Sequence, residues 1–361
     1  MRESFFSPIE EILSDLSNGK MVVIVDDEKR ENEGDIIFAA EFATPEKINF
    51  MVKFARGLVC LAIDKKKSEK LKLKFMSERN RSKHKTAFTI SIEAKTGITT
   101  GISAKDRAKT IQVAVSNNAK ASDLVSPGHI FPLIAREGGV LVRAGHTEAA
   151  VDLSRLCGGN PQGVICEIMN DDGTMARFND LVKFCKKHKL KMSSIKDLIE
   201  YRVREEKFVK CIYKGRYDTE FAGVFDLYIY LNLIDNTEHL VLVKGKFSID
   251  ETVLVRMHTF DFSKDFLGIK DSNNSELVLC LKRINQEGKG VIVILRNPRK
   301  ELLNLKKKQK NDNKILKEYG IGAQILLDIG VKNIVLLSNT SKNIIGIDGF
   351  GLVIKKNLKI N

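Results

Sequence analysis

The sequence predicts an α/β (α+β) chain of two domains: a mixed sheet with helices over residues 1–204, then a second α/β domain over 205–361. Three observations predict this. The chain has 361 residues, more than one ordinary core accommodates. Short apolar runs of strand length alternate with amphipathic helical segments through its first half. After a helix expected from Ser194 to about Glu205 the residues turn strand-rich, with no internal repeat and no long Gly/Ser/Pro linker.

The first helix is marked by Ser7 as cap, Pro8 in the first turn and Glu10 completing a capping box, with Ile9, Ile12, Leu13 and Leu16 on one face and Gly19 as the stop. The apolar run 21–25 reads as a buried strand. It ends in an acidic stretch, 26–35, too polar for a core and expected to be an exposed loop, after which 36–40 resumes a strand. Thr44-Pro45-Glu46 opens a second helix by the same capping logic. Strands are expected at 58–63, 88–92, 113–115, 140–143 and 164–168, with a helix from the Ala144–Thr147 corner through Leu156. In the second half, 225–233 and 240–243 are the clearest strands, and two helices and two strands follow toward the C-terminus.

Composition excludes several classes. No apolar run is long enough to span a bilayer, and the first residues lack the basic start, apolar stretch and small-residue cleavage site of a secretory signal, so the reading is cytoplasmic with no membrane role. Cys60, Cys157, Cys166, Cys185, Cys211 and Cys280 are scattered without a C-x-x-C pair, which argues for reduced, packed thiols rather than a disulfide framework or structural zinc. The net charge of +14 comes from lysines spread over the chain, a solvated surface rather than a nucleic-acid footprint. The densest basic run, Arg296 to Lys317, reads as a solvated loop, the alternative being attraction of a nucleotide, RNA or an acidic partner.

Four segments hold more polar and glycine residues than packing requires. Arg30 to Asp35 brings Glu31, Glu33 and Asp35 together, which is either a solvated acidic turn or an oxygen-rich site for Mg²⁺. Ser126 to Pro132 brackets a Gly-His step with prolines, a rigid turn that fixes the imidazole of His129. Arg143-Ala144-Gly145-His146-Thr147-Glu148 is expected between a strand and a helix. There the helix N-terminus, Arg143 and the Thr147 hydroxyl suit a phosphate, and His146 can ligate a metal. Glu167 sits in an apolar strand, where it either faces outward or is buried with a raised pKa.

These segments carry a family resemblance. From about Ser7 to Tyr201 the chain resembles 3,4-dihydroxy-2-butanone-4-phosphate synthase through DDEKRENEGD, GLVCLAI, TAFTISIEAKTGITTGISAKDRAKTI, SDLVSPGHIFPLIAREGGVLVRAGHTEAAVDL and GVICEIMNDDGTMAR. The resemblance implies conversion of D-ribulose 5-phosphate to 3,4-dihydroxy-2-butanone 4-phosphate and formate in riboflavin biosynthesis. It implies Glu31 and His146 as ligands of Mg²⁺ or Mn²⁺, and His129 and Glu167 as the acid/base residues. Arg30, Glu31, Asp35, Arg143, Ala144, Gly145, His146, Thr147 and Glu167 would contact substrate, Arg143 and Thr147 at its phosphate. Cys60 and Thr100 would border the site, Cys60 as an auxiliary. It further implies a homodimer with sites completed across the interface.

From about Tyr201 to Ile354 the chain resembles GTP cyclohydrolase II through LVLVKGKF, TVLVRMH, CLKRINQEGKGVIVIL, EYGIGAQILLDIGV and GFGLVI. Aligned through Arg256-Met257-His258 and Gly268, the family's three zinc cysteines fall on Asp261, Ser272 and Asn274, and Ser and Asn are poor replacements for thiolates. The Glu-Gly-Arg-Gly segment is replaced near Asn297-Pro298-Arg299-Lys300, and the catalytic Asp and Arg fall on Ile315 and Lys317. Ile cannot transfer a proton and Lys lacks the planar fork of Arg, so no GTP cyclohydrolase activity is expected. The alternatives are a bifunctional enzyme and a C-terminal binding or regulatory module for a nucleotide or nucleic acid.

Overall fold

A computed structural model of the chain describes residues 5–28, 30–82, 84–220, 222–248, 250–262, 265, 276–296, 312–339 and 352–360, with the backbone alone over 312–319. The chain divides into two compact units, Met1–Ile199 and Glu200–Asn361. This division and the expected boundary at 204 both fall in one helix, Ile195–Glu205.

The elements of the first unit are, in chain order, α1 (Ile9–Ser17), β1 (Val22–Val25), β2 (Gly34–Ala39), α2 (Pro45–Phe50), β3 (Cys60–Ile63), α3 (Lys65–Lys70), β4 (Ile92–Ala94), α4 (Ala104–Val115), β5 (Leu124–Ile134), α5 (His146–Leu156), β6 (Gln162–Glu167), α6 (Phe178–His188), β7 (Met192–Ser194) and the start of α7 (Ile195–Glu205). The strands form one mixed sheet in the order β4-β5-β3-β6-β2-β1-β7. β1, β2 and β3 are buried along their whole length, which the apolar runs of β1 and β3 and of Ile36 to Ala39 in β2 require.

Local chemistry explains most boundaries. Ile9, Ile12, Leu13 and Leu16 of α1 are buried, and Gly19 ends the turn at φ +70°. The expected Ser7 cap is not formed. Pro8 holds the N-cap position with no side-chain cap bond, and the Ser7 backbone N–H donates to Met192 O at 2.7 Å. Thr44 caps α2, accepting from Lys47 N at 3.4 Å.

Three expected strands are corrected. Residues 113–115 close helix α4, because Ser103 caps it and Ala108, Ile111, Ala114 and Val115 fall on its buried face. Residues 140–143 are no strand. Gly138 and Gly139 take positive φ, and a tight 3₁₀ turn, Gly139–Leu141, follows. The expected strand at 88–92 is reduced to isolated bridges at Phe88 and Thr89, with β4 starting only at Ile92. The expected turn at 126–132 lies instead within strand β5.

The second unit carries β8 (Val209–Thr219), β9 (Gly223–Asn232), β10 (Glu238–Lys244), β11 (Thr252–Thr259), α8 (Glu276–Glu287), β12 (Gly290–Leu295), α9 (Asp312–Asp328), β13 (Asn333–Leu337) and β14 (Val353–Leu358). Among the described residues three strands, not two, accompany the last two helices. The sheet order is β14-β13-β11-β12-β10-β9-β8, with an antiparallel β8–β9–β10 meander and parallel pairing of β11 with β12 and β13. One hydrophobic cluster centres on Val241, Val255, Val293 and Ile325, a second on Phe225, Cys280, Ile284 and Ile292. Among the described residues no helix of the chain is long and apolar enough to cross a membrane.

Candidate active site

The acidic stretch is the loop of a hairpin. β1 and β2 pair antiparallel, Val25 opposite Gly34. Beyond that pair the loop folds around one carboxylate. Asp26 accepts the N–H of Glu33 at 2.9 Å and of Glu31 at 3.2 Å, and the Arg30 guanidinium at 2.7 Å. These donors correct the expectation of a fully exposed loop. Asp26 and Asp35 are buried, which is tolerable for Asp26 because its oxygens are hydrogen-bonded.

His146 enters this loop from another direction, as the first residue of α5. It is buried, and its Nε2 lies 3.1 Å from Ile24 O. A carbonyl only accepts, so Nε2 carries the proton and Nδ1 keeps its lone pair. Nδ1 faces Asp35 Oδ1 at 3.6 Å and Glu31 Oε2 at 3.9 Å. Burial, the largest cause, holds the His146 pKa below the ordinary imidazole range, which favours the neutral, ligating form. Asp26, Glu31 and His146 each offer one ligand atom, all within 4.8 Å of one another. Glu31 and His146 are close enough to share one cation, since two ligands at Mg²⁺–O-like bond lengths span at most about 4.2 Å.

The floor beneath is acidic. Asp35 of β2 pairs in register with Glu167 of β6. Asp35 Oδ1 is buried with no hydrogen-bond partner. Burial, and then the carboxylates of Glu167, Glu31, Glu33 and Asp26, push the Asp35 pKa well up. Glu167 is half-buried and also pushed up, first by burial, although its Oε2 accepts Leu58 N at 2.8 Å. Gly57 makes that approach possible, because a Cβ there would overlap the Glu167 backbone and carboxylate. Glu33 is raised by burial and by Glu31. Cys60, opposite Ile165 in the β3–β6 pair, is raised by burial and by Glu167 and Asp35, so it stays a thiol.

A buried, unpartnered carboxylate oxygen beside a free imidazole lone pair is what a divalent cation satisfies. The donor set, carboxylates with one imidazole, fits Mg²⁺ or Mn²⁺.

The corner before α5 supplies donors. Gly145 is its N-cap without a side-chain cap bond, which leaves the first-turn N–H groups of His146, Thr147 and Glu148 outside the helix ladder. Thr147 is buried, and Ala144 and Gly145 carry the backbone into the turn. Arg143 is held by Glu148 Oε2 at 2.5 Å, His84 O at 3.2 Å and Thr86 Oγ1 at 3.1 Å.

His129 stands apart. It lies on β5, exposed, with Nδ1 bonded to Glu93 of β4. Among the described residues no hydrogen bond or ion pair joins it to the acidic cluster. Thr100 is exposed in the turn before α4.

Sequence reasoning assigned His84, Thr86 and Glu93 no site role, and named Asp26 and Glu148 only as members of their segments. Asp26 lies in the same acidic stretch as Glu31, but loop residues carry no periodicity to single one out. His84 Nδ1 lies 3.8 Å from Glu31 Oε1, a contact across a long, irregular segment without any local signal.

In the second unit, the Asp261 N–H donates to Asp265 Oδ2 at 2.7 Å, and the same oxygen lies 2.8 Å from His258 Nε2. Gly268, Ser272, Asn274, residues 297–300 and most of the basic run Arg296 to Lys317 lie outside the described residues. Ile315 and Lys317 fall on α9 where the backbone alone is described.

The family described as 3,4-dihydroxy-2-butanone 4-phosphate synthase matches residues 10–201, and that described as GTP cyclohydrolase II matches 210–359. A 3,4-dihydroxy-2-butanone 4-phosphate synthase of Neisseria meningitidis serogroup A is 49% identical over 354 residues, 97% of each chain. The riboflavin biosynthesis protein RibBA of Aquifex aeolicus is 45% identical, covering 99% of this chain and 94% of its own. The crystal structure of RibBX, a two-domain 3,4-dihydroxy-2-butanone 4-phosphate synthase from A. baumannii, is similar with TM-score 0.81 and 41% identity, over 98% of this chain and 99% of that one. A 3,4-dihydroxy-2-butanone 4-phosphate synthase in complex with two magnesium ions is similar with TM-score 0.54 and 39% identity, over 55% of this chain and 98% of that one.

Proposed function

We propose, from the premise that this chain belongs to the 3,4-dihydroxy-2-butanone 4-phosphate synthase family, that its first unit converts D-ribulose 5-phosphate to 3,4-dihydroxy-2-butanone 4-phosphate and formate in riboflavin biosynthesis. The observation that carries this reading is the Asp26–Glu31–His146 cluster set against the unpartnered Asp35 oxygen. Glu31 and His146 hold the cation, Mg²⁺ or Mn²⁺, with Asp26 as a further ligand. Mg²⁺ is favoured by the relative that contains it. When bound, the cation supplies Lewis-acid stabilisation of the negative charge that develops on the sugar oxygens.

The residues do the remaining work. Arg143, Thr147 and the first-turn N–H groups of α5 bind the phosphate, with Ala144 and Gly145 leaving the backbone accessible. Arg30 and Asp35 orient the sugar beside Glu31. Glu167 and Asp35, whose pKa values burial raises, serve as proton-transfer groups, and His129 supplies a further acid/base group. Deprotonation beside the ketone, loss of water, a skeletal shift, and then addition of a water that lets one carbon depart as formate use these groups in turn.

The working form is a homodimer whose sites are completed across the interface. Support comes from exposed apolar residues, among them Phe75, which bridges to Thr89, and Val125, which pairs with Glu93 of β4. The protein works in the cytoplasm, consistent with its soluble substrate and scattered free cysteines.

The second unit keeps the GTP cyclohydrolase II scaffold as a structural or regulatory domain without that activity. Supporting this are Ile315 and Lys317 where an acid and an arginine are needed, and an Asp261 whose backbone serves the His258–Asp265 pair. The bifunctional alternative is favoured by the family match alone.

Purified protein supplied with Mg²⁺ and ribulose 5-phosphate should release formate, and with GTP should release none. Absence of turnover with ribulose 5-phosphate refutes the first assignment. GTP-dependent formate with stoichiometric zinc refutes the second.

A further inference from the structure

His129 is held by a carboxylate that no motif singles out. β4 and β5 pair with an irregularity, Ile92 opposite Ile130 but Glu93 opposite Val125, so residues 126–129 of β5 bow away from the ladder. Two glycines open a slot for the Glu93 side chain beside that bow. A Cβ on Gly101, which has φ +90°, would overlap the Glu93 carboxylate, and one on Gly128 would press on its Cγ. Both walls are pinned. Asp106 Oδ2 accepts Gly101 N at 3.0 Å and Thr99 N at 3.1 Å, while Ser91 Oγ accepts Gly128 N at 3.1 Å. The slot leaves Glu93 largely covered, 13% of its side chain exposed, against 43% for His129. Its Oε1 meets His129 Nδ1.

We infer that Glu93 is the positioning residue for His129: an ionised carboxylate only accepts, so it fixes the proton on Nδ1 and presents the Nε2 lone pair outward for proton transfer with substrate. This rests on His129 being an acid/base group of the proposed reaction. Glu93 itself touches no substrate. Its effect passes through the tautomer and ring orientation of His129.

The test combines kinetics with nitrogen NMR of the imidazoles in the full-length chain. Glu93→Gln keeps the shape but can donate to Nδ1, which releases the tautomer. It should lower kcat about 10- to 100-fold, as loss of an orienting partner typically does, with KM and Mg²⁺ affinity changed by less than about threefold. Glu93→Asp should recover part of the loss. In a His129→Ala background, Glu93→Gln should cost nothing further, because the two residues act as one unit. In the wild type, His129 should appear as the Nδ1–H tautomer, and in Glu93→Gln as a mixture. A kcat within about twofold of wild type overturns the inference, as does a wild-type His129 protonated on Nε2. The NMR result judges the pair even where a variant is unstable. It also separates this inference from the proposed activity, which fails on its own if the wild type does not turn over ribulose 5-phosphate.

Discussion

Asp35→Asn should stabilise the metal-free protein while abolishing its activity. Asp35 is buried among the carboxylates of Glu167, Glu31, Glu33 and Asp26, and its Oδ1 has no hydrogen-bond partner. Leaving one such buried group unsatisfied costs about 1–3 kcal/mol. The substitution removes the charge and places an N–H donor among acceptors, including His146 Nδ1, which lies 3.6 Å from Asp35 Oδ1. For a unit of this size each kcal/mol moves Tm by about 2–4 °C, so a rise of about 2–12 °C is expected at alkaline pH without metal. The pH dependence follows from the raised pKa. The folded state holds the Asp35 proton more tightly than the unfolded state does. Its contribution is therefore fully present below the ordinary carboxylate range and is lost as pH rises through the raised folded value. Wild type should lose stability over that window, while the variant, lacking this group, should lose less. Saturating Mg²⁺ should close the gap, because a cation binding only the folded site stabilises wild type by about 2.7 kcal/mol at a hundred times Kd. Calorimetric or fluorescence melting in chelator and in Mg²⁺, from below the ordinary carboxylate range to the alkaline side, reads all of this. A variant less stable than wild type in chelator at the alkaline end would refute the account of Asp35 as an uncompensated buried acid.

Glu31→Ala and His146→Ala should each remove the Mg²⁺-dependent rise in Tm and lower product formation by at least about 100-fold, measured by melting and formate release. Glu167→Gln should fold and bind Mg²⁺ normally yet lose about 10²- to 10⁴-fold in kcat, the range of general acid–base catalysis, and near-normal turnover would reject its acid/base role. Gly101→Ala puts a side chain at φ +90° against Glu93, so Tm and kcat should both fall, kcat toward the Glu93→Gln value. Removing all divalent metal with chelator should stop turnover, and Mg²⁺ or Mn²⁺ should restore it.

What could be read directly from the sequence is what neighbours along the chain dictate. The buried face of α1, the Thr44 cap, the apolar strands β1 and β3 and the apolar part of β2 from Ile36 follow from periodicity and capping within a few residues, whereas Gly34 and Asp35 of β2 were read as loop. Glu31 and His146 were legible as motif residues. The misread elements show where this ends. Residues 113–115 are β-branched and alanine, yet they are helical because Ser103, far upstream, starts a helix whose buried face they complete. The strand expected at 140–143 gives way to a turn set by paired glycines.

The site itself depended on distant segments. Which acid of the loop turns inward was decided by the β1–β2 hairpin, whose backbone N–H groups converge on Asp26. The strain on Asp35 arises only because β2 and β6 pair in register and put Glu167 beside it. His129 finds its partner 36 residues away through an irregularity in strand pairing. The sequence by itself determined the residue types, the caps and the apolar periods, since these act over one or two turns of chain. Only the tertiary structure decided which charges share a low-dielectric space, because electrostatic energy depends on separation and burial in three dimensions rather than on order along the chain.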